Sequence, residues 1–186
     1  MNADDGPGDS PGTRSQTQLR IGTWEETEEF VGTSFPTVRG ADAVEAGAIR
    51  RRLEVLEWDC PLHCDTHGSG SDEGLIAPST MVGTFAMPAY WVPGDAPMYE
   101  DGMAKLPPLF LDQIPAPGAR MLVTEWALET YRYLRPGDHV NATTTVMSAE
   151  QKRTRLGEGV FLTLRTEYTD QRDVVVAVRE LTVLRF

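Results

Sequence analysis

"GVFLTLRTEYTD", residues 159–170, is the stretch whose reading decides the fold. Successive side chains of an extended chain point to opposite faces, so Val160, Leu162, Leu164 and Thr166 share one side while Thr163, Arg165 and Glu167 share the other. One face meets water and the other packs on something apolar. The run has company. "MLVTEWALETYRYL" (121–134) and "HVNATTTVMSAEQKRT" (139–154) precede it, "VVVAVRELTVLRF" (174–186) follows, and the turn signals "RPGD", "RLGEG" and "DQRD" punctuate the series. Four β segments in sequence predict an antiparallel meander.

The cover for its apolar face is sought upstream. "LIAPSTMVGTFAMPAYW" (75–91) is apolar on nearly every side, with Ser79 or Thr80 placed to cap a helix that Pro88 stops or kinks. A helix apolar all round must be buried, and here it is the strong candidate for what the sheet packs on. The expected fold is therefore α+β: a curved antiparallel sheet wrapped around a buried central helix, the hot-dog arrangement. Before it, "GADAVEAGAIRRRLEVLEW" (40–58) opens with Asp42 three residues ahead of Glu45, like a capping box. Val44, Ile49, Leu53 and Leu56 then fall on one face of an amphipathic helix of about four turns. Pro61 cannot continue that helix, so "WDCPLHCDTHGSG" (58–70) is read as a loop. Residues 92–118, dense in proline, predict an irregular wrapping segment suited to covering a partner or a substrate.

The whole chain bounds these readings. Its 186 residues suffice for one domain with a real core, expected at 21–186, and a metal or disulfide staple is not needed for stability. Residues 1–20, rich in Gly, Pro, Asp and Ser, lack apolar runs and are expected to form a disordered tail. Seventeen Lys and Arg against 28 Asp and Glu give a formal charge of -11, which repels phosphate backbones and anionic membranes, so neither nucleic acid nor membrane is expected as a partner. With no secretory leader and no run of about 20 apolar residues, the expected location is the cytoplasm. In that reducing compartment Cys60 and Cys64 are expected as thiols.

The loop at 58–70 raises the question of chemistry. Cys60, His63, Cys64 and His67 are zinc's favoured donor types, but four ligands within eight residues are tighter than the usual two separated pairs, and Pro61 restricts the turn. A redox pair usually reads C-x-x-C at a helix start, not C-x-x-x-C after a helix end. No metal and no cofactor is expected, and the cysteines read as small packing residues. His67 and His139 read as loop and turn residues; the run Arg50, Arg51, Arg52 reads as solvated charge rather than a phosphate contact, and Arg120, Arg132 and Arg135 are no more specific.

The order of the pieces resembles the MaoC-like hydratase/dehydratase family, in particular its N-terminal-type, FAS1-like dehydratase domain. Four stretches carry the resemblance: "FVGTSFPT" (30–37), "PLHCD" (61–65), "GLIAPSTM" (74–81), and "YRYLRPGDHV" (131–140) followed by "RTRLGEGVF" (153–161). The last pair is also similar to the N-terminal half of heteromeric steroid side-chain enoyl-CoA hydratases. The resemblance implies reversible, stereospecific addition of water to a 2-enoyl thioester of coenzyme A or acyl carrier protein. That chemistry needs a base for the water proton, an acid for the α-carbon and donors for an enolate-like oxyanion. Carried onto this chain, it implies Asp59 and His63 as the acid/base pair and the backbone amides of Ser79 and Thr80 as oxyanion donors. The stripe Met81, Val82, Phe85 reads as core, as a wall of the acyl pocket, or both.

One departure matters. Active members carry G-D-x-N-P-[LI]-H-x-D, and ungapped alignment puts Trp58 at the catalytic aspartate and Cys60 at the asparagine, leaving Asp59 one position late. A displacement of about 1 Å in a catalytic group can cost about a hundredfold in rate. Two readings follow: an (R)-specific enoyl-thioester hydratase or 3-hydroxyacyl-thioester dehydratase, acting as a homodimer or heteromer, or a non-catalytic subunit that shapes the acyl pocket while a second MaoC-like chain supplies Asp and His. A thioester- or metal-binding module is the third.

Overall fold

In a computed structural model that describes residues 19–60, 62–63, 74–95, 99–100, 103–104 and 110–186, the alternating runs form long strands where they were expected. In chain order the elements are α1 (Trp24–Glu28), β1 (Val38–Arg39), α2 (Ala46–Leu56), a 3-10 turn (Ser79–Met81) leading into α3 (Val82–Phe85), β2 (Tyr99–Glu100), β3 (Met103–Ala104), α4 (Phe110–Gln113), β4 (Met121–Thr130), β5 (Asn141–Thr154), β6 (Gly157–Thr169) and β7 (Val175–Arg185). Five strands make one antiparallel sheet in the order β1-β5-β6-β7-β4, and β2 pairs with β3. Bulges at Val123/Glu125, Val146/Ser148 and Tyr168/Thr169 bend it.

The meander holds for β5, β6 and β7 only. β4 crosses to the far side of β7, with Met121 opposite Arg185 and Thr130 opposite Ala177. The "RPGD" turn after it is not a hairpin. Its backbone is occupied by the segment before α2, with Val44 N–H donating to Asp138 O (2.7 Å) and Gly137 N–H to Val44 O (2.9 Å). The same two bonds keep residues ahead of Glu45 out of a helix, so the Asp42–Glu45 box does not form and α2 starts at Ala46 with no side-chain cap. The helix buries Ile49 and Leu53 and ends in a left-handed Glu57 (φ 48°), while Leu56 faces solvent.

The expected central helix is shorter than its apolar run. Seven residues of 3-10 and α helix reach about 11 Å, against about 40 Å for the thirteen residues of β6. Met81, Val82 and Phe85 therefore cover only one end of the sheet, packing with Ile49, Leu53, Tyr168, Val176 and Ala177. Val160, Leu162 and Leu164 are buried as expected but against other residues: Leu111, Ile114, Val146, Leu181 and Val183, flanked by Trp24, Phe30, Phe35 and Phe110. The proline-dense segment thus contributes α4, Ile114 and Ala116 to the interior rather than only wrapping it. Arg185, fully buried, binds it there through the carbonyls of Ile114, Ala116 and Gly118 and that of Arg20. Residues 1–18 lie outside the described residues; Arg20 is already bonded into the fold through Asp112 O and Ala116 N–H. Among the described residues no helix is long and apolar enough to cross a membrane.

Candidate active site

The end of α2 sets His63. Trp58 N–H donates to Leu53 O, Cys60 N–H to Trp58 O and His63 N–H to Cys60 O (2.9 Å), a chain of turns that folds the loop back on the helix. The imidazole is buried, 6 % exposed, with Trp58 against it at 5.1 Å between ring centroids. Its Nδ1 lies 3.0 Å from the carbonyl oxygen of Ile76. A carbonyl can only accept, so Nδ1 carries the hydrogen, and in the neutral ring Nε2 holds the free lone pair. Ile76 in turn sits beside Ala77, whose N–H donates to Leu134 O (2.8 Å). Thus His63, the Ile76–Ala77 pair and Leu134, from three of the stretches that carry the resemblance, meet at one place in space.

The start of the helical run lies two residues beyond Ala77. Pro78, not Ser79 or Thr80, occupies the cap position, and no side chain caps it. The first engaged amide is that of Met81, which donates to Pro78 O (2.9 Å); the amides of Ser79 and Thr80 have no acceptor among the described residues. The run is too short for a sizeable macrodipole, so any stabilisation of an anion here comes from those two N–H groups. A cavity of about 10 Å³, room for roughly one water, opens between Ser79, Val82, Thr130, Arg132 and Ala177. Arg132 is held by Asp138 (2.8 Å) and Asp170 (3.1 Å). Burial would raise the Asp170 carboxyl, but the amides of Arg172 and Val174 and the Arg172 guanidinium outweigh it and hold it below its ordinary value.

The other expected residues fall elsewhere. Asp59 is exposed, and no hydrogen bond of its side chain to a described residue is found. Met81, Val82 and Phe85 are packed core. Cys60 is a partly buried free thiol; Cys64 and His67 lie outside the described residues, and among the described residues no three His, Cys, Asp or Glu side chains cluster. His139 is exposed, in irregular chain just past the turn at residues 136–137, and Arg50, Arg51 and Arg52 are exposed. Sequence reasoning missed the Ile76 carbonyl, for which no signal exists, and Arg179. The latter had one: in "VVVAVRELTVLRF" it shares the side of Ala177, Leu181 and Val183, an inward position for a cation.

Known proteins resemble this chain in sequence and in fold. Residues 29–179 match the FAS1-like dehydratase domain region. The chain is 31 % identical over 151 residues to a probable enoyl-CoA hydratase alpha subunit of Thermomonospora curvata, covering 80 % of this chain and 46 % of that protein, so it spans less than half of the relative's length. In three dimensions it is similar to a chain of the ChsH1–ChsH2 complex of Mycobacterium tuberculosis (TM-score 0.64, 22 % identity, 87 % of this chain and 89 % of that one). It is also similar to a MaoC-like dehydratase of Rhodospirillum rubrum (TM-score 0.53, 23 % identity, 84 % and 92 %). These likenesses make the bent five-stranded sheet a hot-dog fold, and the family match, running from Glu29, just ahead of the "FVGTSFPT" stretch, to Arg179 in β7, decides the rest: the chain belongs to the FAS1-like dehydratase domain family.

Proposed function

We propose that the protein is an (R)-specific enoyl-thioester hydratase, or 3-hydroxyacyl-thioester dehydratase in reverse, acting on an acyl chain linked to coenzyme A or a carrier protein. The observation that carries this reading is the fixed tautomer of His63, whose Nδ1–H is tied to Ile76 O so that Nε2 is the base. In the hydration direction Nε2 takes a proton from water, the hydroxyl adds to the β-carbon, and negative charge moves to the thioester oxygen. There the unengaged amides of Ser79 and Thr80 donate to it. Collapse of the enolate takes a proton onto the α-carbon from the acid of the pair, Asp59 in the simplest version. The proton that His63 took from water is passed back to that carboxylate, so that one water adds as H and OH and both groups return to their starting state. Met81, Val82 and Phe85 wall the start of the acyl path. The test is hydration of crotonyl-CoA by the isolated protein with chiral analysis of the product. Formation of (R)-3-hydroxybutyryl-CoA supports the reading, and an (S) product refutes it.

A second reading has its own observation. Among the described residues β4 ends the sheet with an open edge, and Met121, Val123 and Trp126, whose cross-strand partners Arg185, Val183 and Leu181 are buried, are themselves 41 %, 52 % and 53 % exposed. An inward apolar row left open at an unpaired edge fits a second MaoC-like subunit. In this version the chain shapes the acyl pocket and the partner supplies the Asp/His pair. An inactive chain that gains turnover only with a co-purifying MaoC-like subunit supports it; a fully active homodimer sinks it.

A further inference from the structure

One rung crosses the inner face of the sheet between the two apolar clusters: Thr144 opposite Thr166, Thr166 opposite Arg179, Arg179 opposite Leu128. Thr144 and Thr166 are buried and share a hydrogen bond of 2.9 Å. Arg179 is half-buried and donates one hydrogen bond, from Nη2 to Thr166 Oγ1 (3.1 Å), while its Nε–H is buried without a partner. A guanidinium carries five donors in a planar fork, so four of them are unused among the described residues. Among the described residues no carboxylate forms an ion pair with it. Glu167 and Glu180 pair with Arg165 at 3.4 and 3.5 Å, on the alternate positions that face away from this rung.

Tyr168 completes the setting. Its ring lies 5.8 Å from the guanidinium, and a methyl added to Gly83 of α3 would come 3.5 Å from its phenol oxygen, which has no hydrogen-bond partner among the described residues. Burial pushes the phenol up, with Arg179 pulling it partly back, so it stays a neutral donor. A half-buried cation with a buried, unused donor is costly unless something answers it. A single guanidinium beside a neutral phenol, between apolar walls, matches the charge and shape of one carboxylate rather than a phosphate dianion.

We propose that Arg179, with Tyr168 and Thr166 beside it, forms a carboxylate-binding subsite on the inner face of the sheet, which takes the far end of an acyl chain bearing a terminal carboxylate. Its placement on the acyl chain rests on the thioester reading above. Gly83 lies four residues beyond Ser79, about 6–8 Å along the helical run, so the carboxylate would sit several carbons from the thioester.

The experiment uses the full chain and two probe pairs. Heptanoate against heptan-1-ol tests the subsite without any thioester, by titration followed through the Arg179 Nε–H signal in ¹⁵N NMR. Pimeloyl-CoA against heptanoyl-CoA, both saturated and unreactive, tests its placement by calorimetry. The expected result is a preference of about tenfold or more for the carboxylate member of each pair, abolished in Arg179→Gln and partly kept in Arg179→Lys. An Arg179 signal that heptanoate does not move, or a preference that survives in Arg179→Gln, overturns the subsite. A heptanoate preference with equal binding of the two thioesters overturns its placement on the acyl chain. A heptanoate preference with no binding of either thioester leaves the subsite standing and removes the thioester reading instead.

Discussion

Replacing His63 separates its two jobs, because each ring nitrogen does one of them. In His63→Asn the side-chain amide nitrogen falls near the position of Nδ1 and keeps a donor for the Ile76 carbonyl, now 3.0 Å away, but nothing replaces Nε2. In His63→Ala both are lost, and the carbonyl is left part-buried without its donor. That orphaned acceptor costs about 1–3 kcal/mol, and the lost contact with Trp58, at 5.1 Å, adds about 1 kcal/mol. His63→Ala is therefore expected to lose about 2–4 kcal/mol in urea unfolding, and His63→Asn about 1 kcal/mol. Activity follows a different order. Loss of the base should lower kcat by about 10²–10⁴ in both variants, with KM little changed. The assay is crotonyl-CoA hydration in whichever assembly turns over, the isolated chain or its complex with a partner subunit. If His63→Asn keeps kcat within about tenfold of the parent while His63→Ala does not, the histidine is only a latch on the Ile76 carbonyl, and the base lies elsewhere.

Three further outcomes test the frame around the site. Arg185→Met leaves the Ile114 and Gly118 carbonyls without a donor among the described residues; even after the relief of removing a buried charge, urea unfolding should show a loss of about 2–4 kcal/mol, and an unchanged midpoint would refute the clamp. The Asp170 carboxyl is held below its ordinary value of 3.8, so the stability it contributes is present above that pH and is lost as pH falls through the lower folded value; in Asp170→Asn the acid limb of a stability-against-pH curve should flatten, and an unchanged limb would contradict the assignment. Val123→Glu on the exposed row of β4 should leave the stability of the isolated chain within about 0.5 kcal/mol yet weaken association with any partner chain, read by light scattering on size-exclusion chromatography; undiminished association clears β4 of the role.

What the sequence made legible was local. Alternation located β5 and β6, each of which buries one face along much of its length, and a run of β-branched and apolar residues located β7, with short turns joining the three. The partner of β4 was not legible, because Met121 meets Arg185 through a choice among distant edges that no local pattern records. Helix lengths failed for a related reason: the amide and carbonyl of Val44 are taken by the "RPGD" turn, a long-range contact that overrides a plausible capping box. His63 was singled out through the residues around it. The group that fixes its tautomer is a backbone carbonyl, which carries no sequence identity, and Arg179 was visible as a cation out of phase in an alternating strand but belongs to no familiar catalytic pattern.

The packing of Trp58 sharpens the problem of the missing carboxylate. Trp58 stands where the family resemblance implies the catalytic aspartate of active members, and its ring lies against the His63 imidazole, while Asp59, the next residue, is turned to solvent. The backbone therefore already delivers position 58 to the histidine, and the side chain there is wrong for acid/base chemistry. Trp58→Asp should bring a carboxylate to the imidazole at the cost of the ring contact, about 1 kcal/mol for a side chain that is 43 % exposed. If the isolated parent chain is inactive because its aspartate belongs to a partner, the variant should gain hydration of crotonyl-CoA by about a hundredfold over the parent, with the gain abolished in the double variant with His63→Asn. If instead Asp59 is the working acid, Trp58→Asp sets a second carboxylate beside the first and should lower an existing activity, and Asp59→Asn alone should remove it. A folded Trp58→Asp protein that neither gains nor loses turnover would show that position 58 does not face the reacting atoms, and the shared place of Trp58 and the family's aspartate would then be a coincidence of alignment.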